Sequence, residues 1–129
     1  MTKSGEELAR IVVDCGFHLH KEVGPGLLES VYEKVFANRL TRLGLSVETQ
    51  KSIPIKIDDL SFADGFRADL LIENRLLVEI KSVEKMSPVH IKQVLSYLRL
   101  MQLPLGLLIN FGAETFRDGT TRVMNNRAN

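Results

Sequence analysis

Phe66-Arg67-Ala68-Asp69-Leu70-Leu71-Ile72-Glu73, followed by Leu76-Leu77-Val78-Glu79-Ile80-Lys81-Ser82, is the stretch on which the fold turns. Polar and apolar residues alternate through both runs, as strands with one buried face require. So few residues separate the runs that they form two strands joined by a tight turn. Pairing register then sets which side chains share a side. With an odd loop, for example Asn74-Arg75-Leu76, Glu73 faces Leu77 and Asp69 faces Lys81. Arg67, Asp69, Glu79 and Lys81 then share one face, and Phe66, Ala68, Leu70, Ile72, Val78 and Ile80 make the other wholly apolar. An even two-residue loop would put Asp69 and Glu79 on opposite faces. Burial of apolar surface favours the odd register, which also gathers the charges.

On that register Glu79 is a diagonal cross-strand neighbour of Asp69, about 7–8 Å away between backbones. Two acids and a lysine within apolar strands are costly unless they act together. Magnesium, with a phosphate beside it, suits them: it takes hard oxygen ligands and keeps several waters. It would acidify a water and stabilise charge on a phosphorus centre, with Lys81 stabilising the developing oxyanion. The plain alternative is an acid–lysine pair on the surface of a sheet, worth at most about 1 kcal/mol.

Outward from the hairpin, Leu8, Ile11, Cys15, Leu19 and Val23 recur at steps of three and four and predict a helix from about Ser4 to Val23. Gly24-Pro25-Gly26 breaks it. A second helix is expected from about Leu27 to Leu43, with Leu28, Val31, Val35 and Leu43 as its apolar stripe and Gly44 as its cap. Ser46–Lys51 and Ile53–Ile57 read as two short strands, and Asp58-Asp59, Asp64-Gly65 and Asp118-Gly119 as turns. Pro88 opens a third helix running to about Gln102, with Ile91, Val94, Leu95, Leu98 and Met101 buried. Gly106–Phe111 is apolar enough for a strand covered on both faces, and Thr120–Met124 suits an edge strand. The α-α-β-β-β-β-α-β order, with the last strand beyond it, gives an α/β protein: a mixed sheet flanked by helices. Its β-α-β crossover makes Leu77–Ser82 and Gly106–Phe111 parallel.

At 129 residues with a formal charge of +1, the chain suits one compact domain spanning residues 1–129, with its core from about residue 20 to 124. Its balanced charge disfavours a nonspecific nucleic-acid coat but leaves room for a local basic patch. No apolar run reaches the roughly 18 residues of a membrane span, and the first residues lack a secretory pattern. The single cysteine, Cys15, excludes an intrachain disulfide and favours a cytoplasmic location.

Asp69 followed by Glu79-Ile80-Lys81 resembles the active-site signature of the PD-(D/E)XK nuclease superfamily. The wider chain resembles one small prokaryotic branch of it, the GxxExxY proteins. Their naming motif stands here as Gly26-Leu27-Leu28-Glu29-Ser30-Val31-Tyr32, with further likeness at Gln50, Phe66–Asp69, Val78–Ser82, Gln93–Leu98 and Gly106–Phe111. Ala68 stands where the superfamily name has proline.

The resemblance implies a restriction-endonuclease-like core and a magnesium-dependent nuclease cutting DNA, with Mn2+ as a substitute. It assigns metal binding to Asp69, Glu79 and Glu29, and catalysis to Asp69, Glu79, Lys81 and Gln93. Glu29 also fits a solvated glutamate favoured by the helix dipole. Gln93 fits either a residue facing the site or an ordinary helix boundary, and Tyr97 shares its face. Arg67 would hold a phosphate bidentately or merely neutralise Asp69. Tyr32 reads as a packing residue whose hydroxyl has a partner. Small nucleases of this kind often pair to embrace a duplex, so a homodimer is an open option. The alternative function is a non-catalytic nucleic-acid or protein-interaction module retaining the nuclease fold.

Overall fold

A computed structural model describes residues 2–127. Its elements are α1 (Gly5–Val23), α2 (Glu29–Arg42), β1 (Val47–Ile57), β2 (Leu60–Ile72), β3 (Leu76–Lys81), α3 (Pro88–Met101), β4 (Leu105–Asn110), α4 (Phe116–Gly119) and β5 (Thr120–Met124). The strands lie side by side in the order β1-β2-β3-β4-β5. All neighbours are antiparallel except β3 and β4, which run parallel through the α3 crossover. This is the α/β architecture expected, a mixed sheet with helices on its faces.

Two apolar clusters cover the sheet. Leu8, Val12 and Leu19 of α1 and Tyr32, Phe36 and Leu40 of α2 pack with Leu70, Ile72, Leu76, Val78, Ile80, Leu107 and Ile109. Val94 and Leu98 of α3 pack on the other side, with Ala68, Leu77, Leu108 and Ile53. All six residues of β4 are buried, as a strand covered on both faces requires. Ser4 caps α1 through a reciprocal bond pair with Glu7, and Ser87 caps α3 with Pro88 at its first turn.

Several local expectations are corrected. β1 is one strand rather than two: Pro54 sits at a register shift between Ile53 and Ile55 without ending it, as proline at a bulge on an edge strand permits. Asp58-Asp59 does turn the chain, but Asp64-Gly65 lies inside β2, with Asp64 accepting from the Ser52 hydroxyl. Asp118-Gly119 ends the short helix α4. The α2 stripe is also different. Leu28 and Leu43 are exposed, and the buried face is Tyr32, Phe36, Ala37 and Leu40. The Tyr32 ring stacks on Phe111 at 4.6 Å and 5°. Its hydroxyl donates to the Gly24 carbonyl at 2.6 Å and accepts from Leu27 N–H at 3.1 Å. Large rings bury more apolar surface than the leucines at the helix ends, and they decide which way the helix rolls.

Candidate active site

The hairpin loop is odd, but it is Glu73-Asn74-Arg75 rather than Asn74-Arg75-Leu76. Ile72 pairs with Leu76, Leu71 with Leu77 and Leu70 with Val78. Leu76 is fully buried, which draws it into β3. Glu73 and Asn74 take left-handed conformations, with φ of 52° and 55°, and Arg75 N–H closes the turn on the Ile72 carbonyl at 2.9 Å. Extending that register sets Asp69 across from Glu79, not from Lys81 and not diagonally from Glu79. Parity is unchanged, so the acids still meet.

The β2–β3 ladder stops at Leu70 and Val78. Beyond that point β3 continues beside β4 as far as Lys81 and Asn110, while β2 continues beside β1. The sheet forks, and two carboxylates fill the fork in place of backbone carbonyls. Asp69 N–H donates to Glu79 Oε2 at 2.7 Å, and Ile80 N–H donates to Asp69 Oδ2 at 2.8 Å. Each acid is thus anchored by the other's strand.

The ribbon also turns over here. Gln50 is left-handed, with φ 47°. Phe66 and Ala68 pack with the α3 cluster whereas Leu70 and Ile72 pack with the α1–α2 cluster. The single apolar face expected from Phe66 through Ile80 is therefore broken at Asp69. The alternation that was to keep Arg67 beside Asp69 is broken with it. Arg67 is exposed, lies across from Ser52, and forms no ion pair within 4.0 Å among the described residues.

Glu79 is 4% exposed. Burial, then the charge of Asp69, pushes its carboxyl up to about 8, although the Asp69 N–H and the Lys81 ammonium pull the other way. Glu33 of α2 is raised by burial and by Asp69 and Glu29, with Gln50 opposing. Gln50 Nε2 donates to Glu33 Oε1 and Oε2, both at 3.0 Å, and to Asp69 Oδ1 at 3.1 Å. Lys81 is half-buried and makes no ion pair within 4.0 Å among the described residues. Tyr97 of α3 stacks on Phe66 at 3.9 Å and 11°. Burial raises its hydroxyl, and the charges of Glu79 and Asp69 add to the rise. Gln93 lies one turn before Tyr97 on α3 and is exposed.

Glu29 is also exposed. It lines a groove of about 440 Å³ with Pro25–Leu28, Ser82–Glu84 and Gly112, next to the end of β3. Among the described residues no three His, Cys, Asp or Glu side chains converge tightly enough to cage an ion. The structure thus brings Asp69 and Glu79 together and links Glu33 to them through Gln50, with Glu29 one turn further on. Two side-chain carboxyl groups still fit magnesium, which is commonly held by one or two carboxylates and completes its shell with water and phosphate. No buried polar side-chain atom lacks a partner among the described residues. A roomier groove of about 580 Å³, lined by Arg10, Phe17, Phe116, Arg117 and Arg122 among others, contains none of these acids.

Glu33 and Asn110 had no assigned part in the sequence. Glu33 follows Glu29 by four residues and so shares its face, which is the signal that could have found it. Asn110, 2% exposed, ends the apolar run of β4. Its Oδ1 accepts from Val83 N–H at 3.0 Å and Gly112 N–H at 2.9 Å, and its Nδ2 donates to the Val83 carbonyl at 2.9 Å. It clamps the segment immediately after Lys81. Asn110→Ala strips three backbone groups of their partners, with an expected loss of about 2–3 kcal/mol, and loosens Lys81. A thermal melt checks the first effect; an unchanged melting temperature would count against this clamp.

The family model of the PD-(D/E)XK nuclease superfamily matches residues 6–123, and the chain belongs to that superfamily. Its members are usually hydrolytic nucleases that act on nucleic acid and generally use divalent metals. No curated protein matches the chain. Among the described residues no helix is long and apolar enough to cross a membrane.

Proposed function

We propose that the chain is a divalent-metal-dependent phosphodiesterase of the GxxExxY branch that hydrolyses DNA in a reducing cytoplasm. The observation that carries this reading is the fork itself: Asp69 and Glu79 bonded to each other's strands, with Lys81 two residues beyond. Asp69 and Glu79 would hold Mg2+ or Mn2+. Glu33 takes the part of the helix acid, with Glu29 one turn away as the other donor. When bound, the cation supplies neutralising charge and acidifies a water.

The chain's own groups do the rest. The Lys81 ammonium faces the charge that develops on the phosphoryl oxygens as water forms a new bond to phosphorus. The opposite phosphorus–oxygen bond breaks, and the leaving oxygen takes its proton from water. Tyr97 and Gln93, one turn apart on α3, would hold the strand being cut. Arg67, exposed on β2, would hold a more distant phosphate.

Labelled single- and double-stranded DNA, and RNA, should be incubated with Mg2+, Mn2+ or chelator. Cleavage of DNA that needs the metal and ceases with chelator is expected. Failure to cut any of these substrates with either metal would end the enzymatic reading. DNA binding that is equal with and without magnesium would point instead to a non-catalytic module.

A further inference from the structure

Gln50 has no part in the chemistry above, yet its side chain occupies the middle of the acid group. Its left-handed backbone is uncommon for a residue with a Cβ, and the β1–β2 ladder skips it between the Thr49–Leu70 and Lys51–Ala68 pairs. Three carboxylate oxygens from two elements converge on its single neutral Nε2, at 3.0, 3.0 and 3.1 Å. A nitrogen with two hydrogens cannot satisfy three anionic acceptors fully. A cation shared by Glu33 and Asp69 would lie in the space this amide now fills. The other end of the same amide is Oε1, a hard oxygen of the kind magnesium and manganese accept.

We propose that Gln50 is a cation ligand of this site, its Nε2 holding Glu33 against Asp69 before metal binds and its amide turning to present Oε1 afterwards. The terminal torsion of glutamine is broad and roughly two-fold, so the turn needs no change of backbone. The inference rests on the metal-dependent reading, and it adds an acid-bridging switch to it. It also explains why a residue of β1, outside the Asp–Glu–Lys signature, is aimed at both Asp69 and α2.

The test is Mn2+ binding by the full chain, read from the loss of the free-ion electron paramagnetic resonance signal. Wild type, Gln50→Leu and Gln50→Glu are compared, with melts in chelator to confirm folding. Gln50→Leu is expected to weaken Mn2+ binding about 10–100-fold. Gln50→Glu, which keeps the oxygen and loses the N–H donors, is expected to bind at least as tightly as wild type. Its melting temperature in chelator should fall and be restored by Mn2+. Gln50→Ala replaces the leucine variant should that one not fold. Binding by Gln50→Leu equal to or tighter than wild type would overturn the proposal, as would equal weakening in both variants. Wild type that binds no Mn2+ would instead overturn the metal-dependent reading and this inference with it.

Discussion

Lys81→Ala is expected to lower metal-dependent DNA cleavage by about 10²–10³-fold while shifting the melting temperature by no more than about 2 °C. The separation of the two effects follows from how Lys81 is held. Its backbone carbonyl accepts from Phe111 N–H at 2.8 Å, and its pairing with Asn110 in the parallel ladder belongs to the main chain. Neither needs the side chain. The ammonium forms no ion pair within 4.0 Å among the described residues, so its loss breaks no direct ion pair. What is lost is a positive charge beside Glu79, in the place where phosphoryl charge would grow. Lys81→Met keeps the aliphatic stem and should lose activity equally, whereas Lys81→Arg would restore charge in a shape too wide and planar for a point contact. Single-turnover rates and thermal melts on the same preparations decide it. Activity within tenfold of wild type in Lys81→Ala would remove the lysine from the chemistry.

Glu79→Gln should move stability and cleavage in opposite directions. The carboxyl is buried in the fork beside Asp69, and its ionisation is pushed up to about 8 from an ordinary value of 4.5. Between those two values the folded protein keeps a proton that the unfolded chain has released. Stability of the metal-free protein therefore falls as pH rises through that window, and levels off above it. Glutamine still accepts from Asp69 N–H but carries no charge to bury. In chelator at pH 8 to 9 the variant should melt about 5 °C higher than wild type, and the difference should close towards pH 4.5. Magnesium should raise the melting temperature of wild type more than that of the variant, because only the charged site gains a counter-ion. Cleavage should drop about 10³-fold if, as proposed, Glu79 holds the metal. Calorimetric melts across pH check this; a variant that melts lower than wild type at pH 8 in chelator would show that the carboxylate is not the burden its burial implies.

Much of the site was legible because period and parity are local properties. Alternation in Phe66–Glu73 and Leu76–Ser82 fixed two strands, and the odd loop fixed that Asp69 and Glu79 would meet. The exact loop was not legible. Choosing Glu73-Asn74-Arg75 over its neighbour depended on burying Leu76 beneath α1 and α2, which only the packed core can reward. The roll of α2 was misread for a similar reason. Of the expected stripe only Val35 packs against the core, while Leu28, Val31 and Leu43 are exposed; Phe111 and the Gly24–Leu27 turn supply partners for Tyr32 that no helical periodicity reveals.

Sequence by itself determined the mixed sheet with its parallel crossover, the acid pair with a lysine two residues on, and the superfamily likeness. Each of these follows from side-chain type at fixed spacing along one or two adjacent elements. Tertiary structure decided that the sheet forks at Asp69, that Glu33 rather than Glu29 is tied to the acids, and that Gln50 sits among them. Those facts concern residues brought together from α2, β1, β2 and β3, where the cost of crowding anions is set by burial and by neighbours distant in the chain.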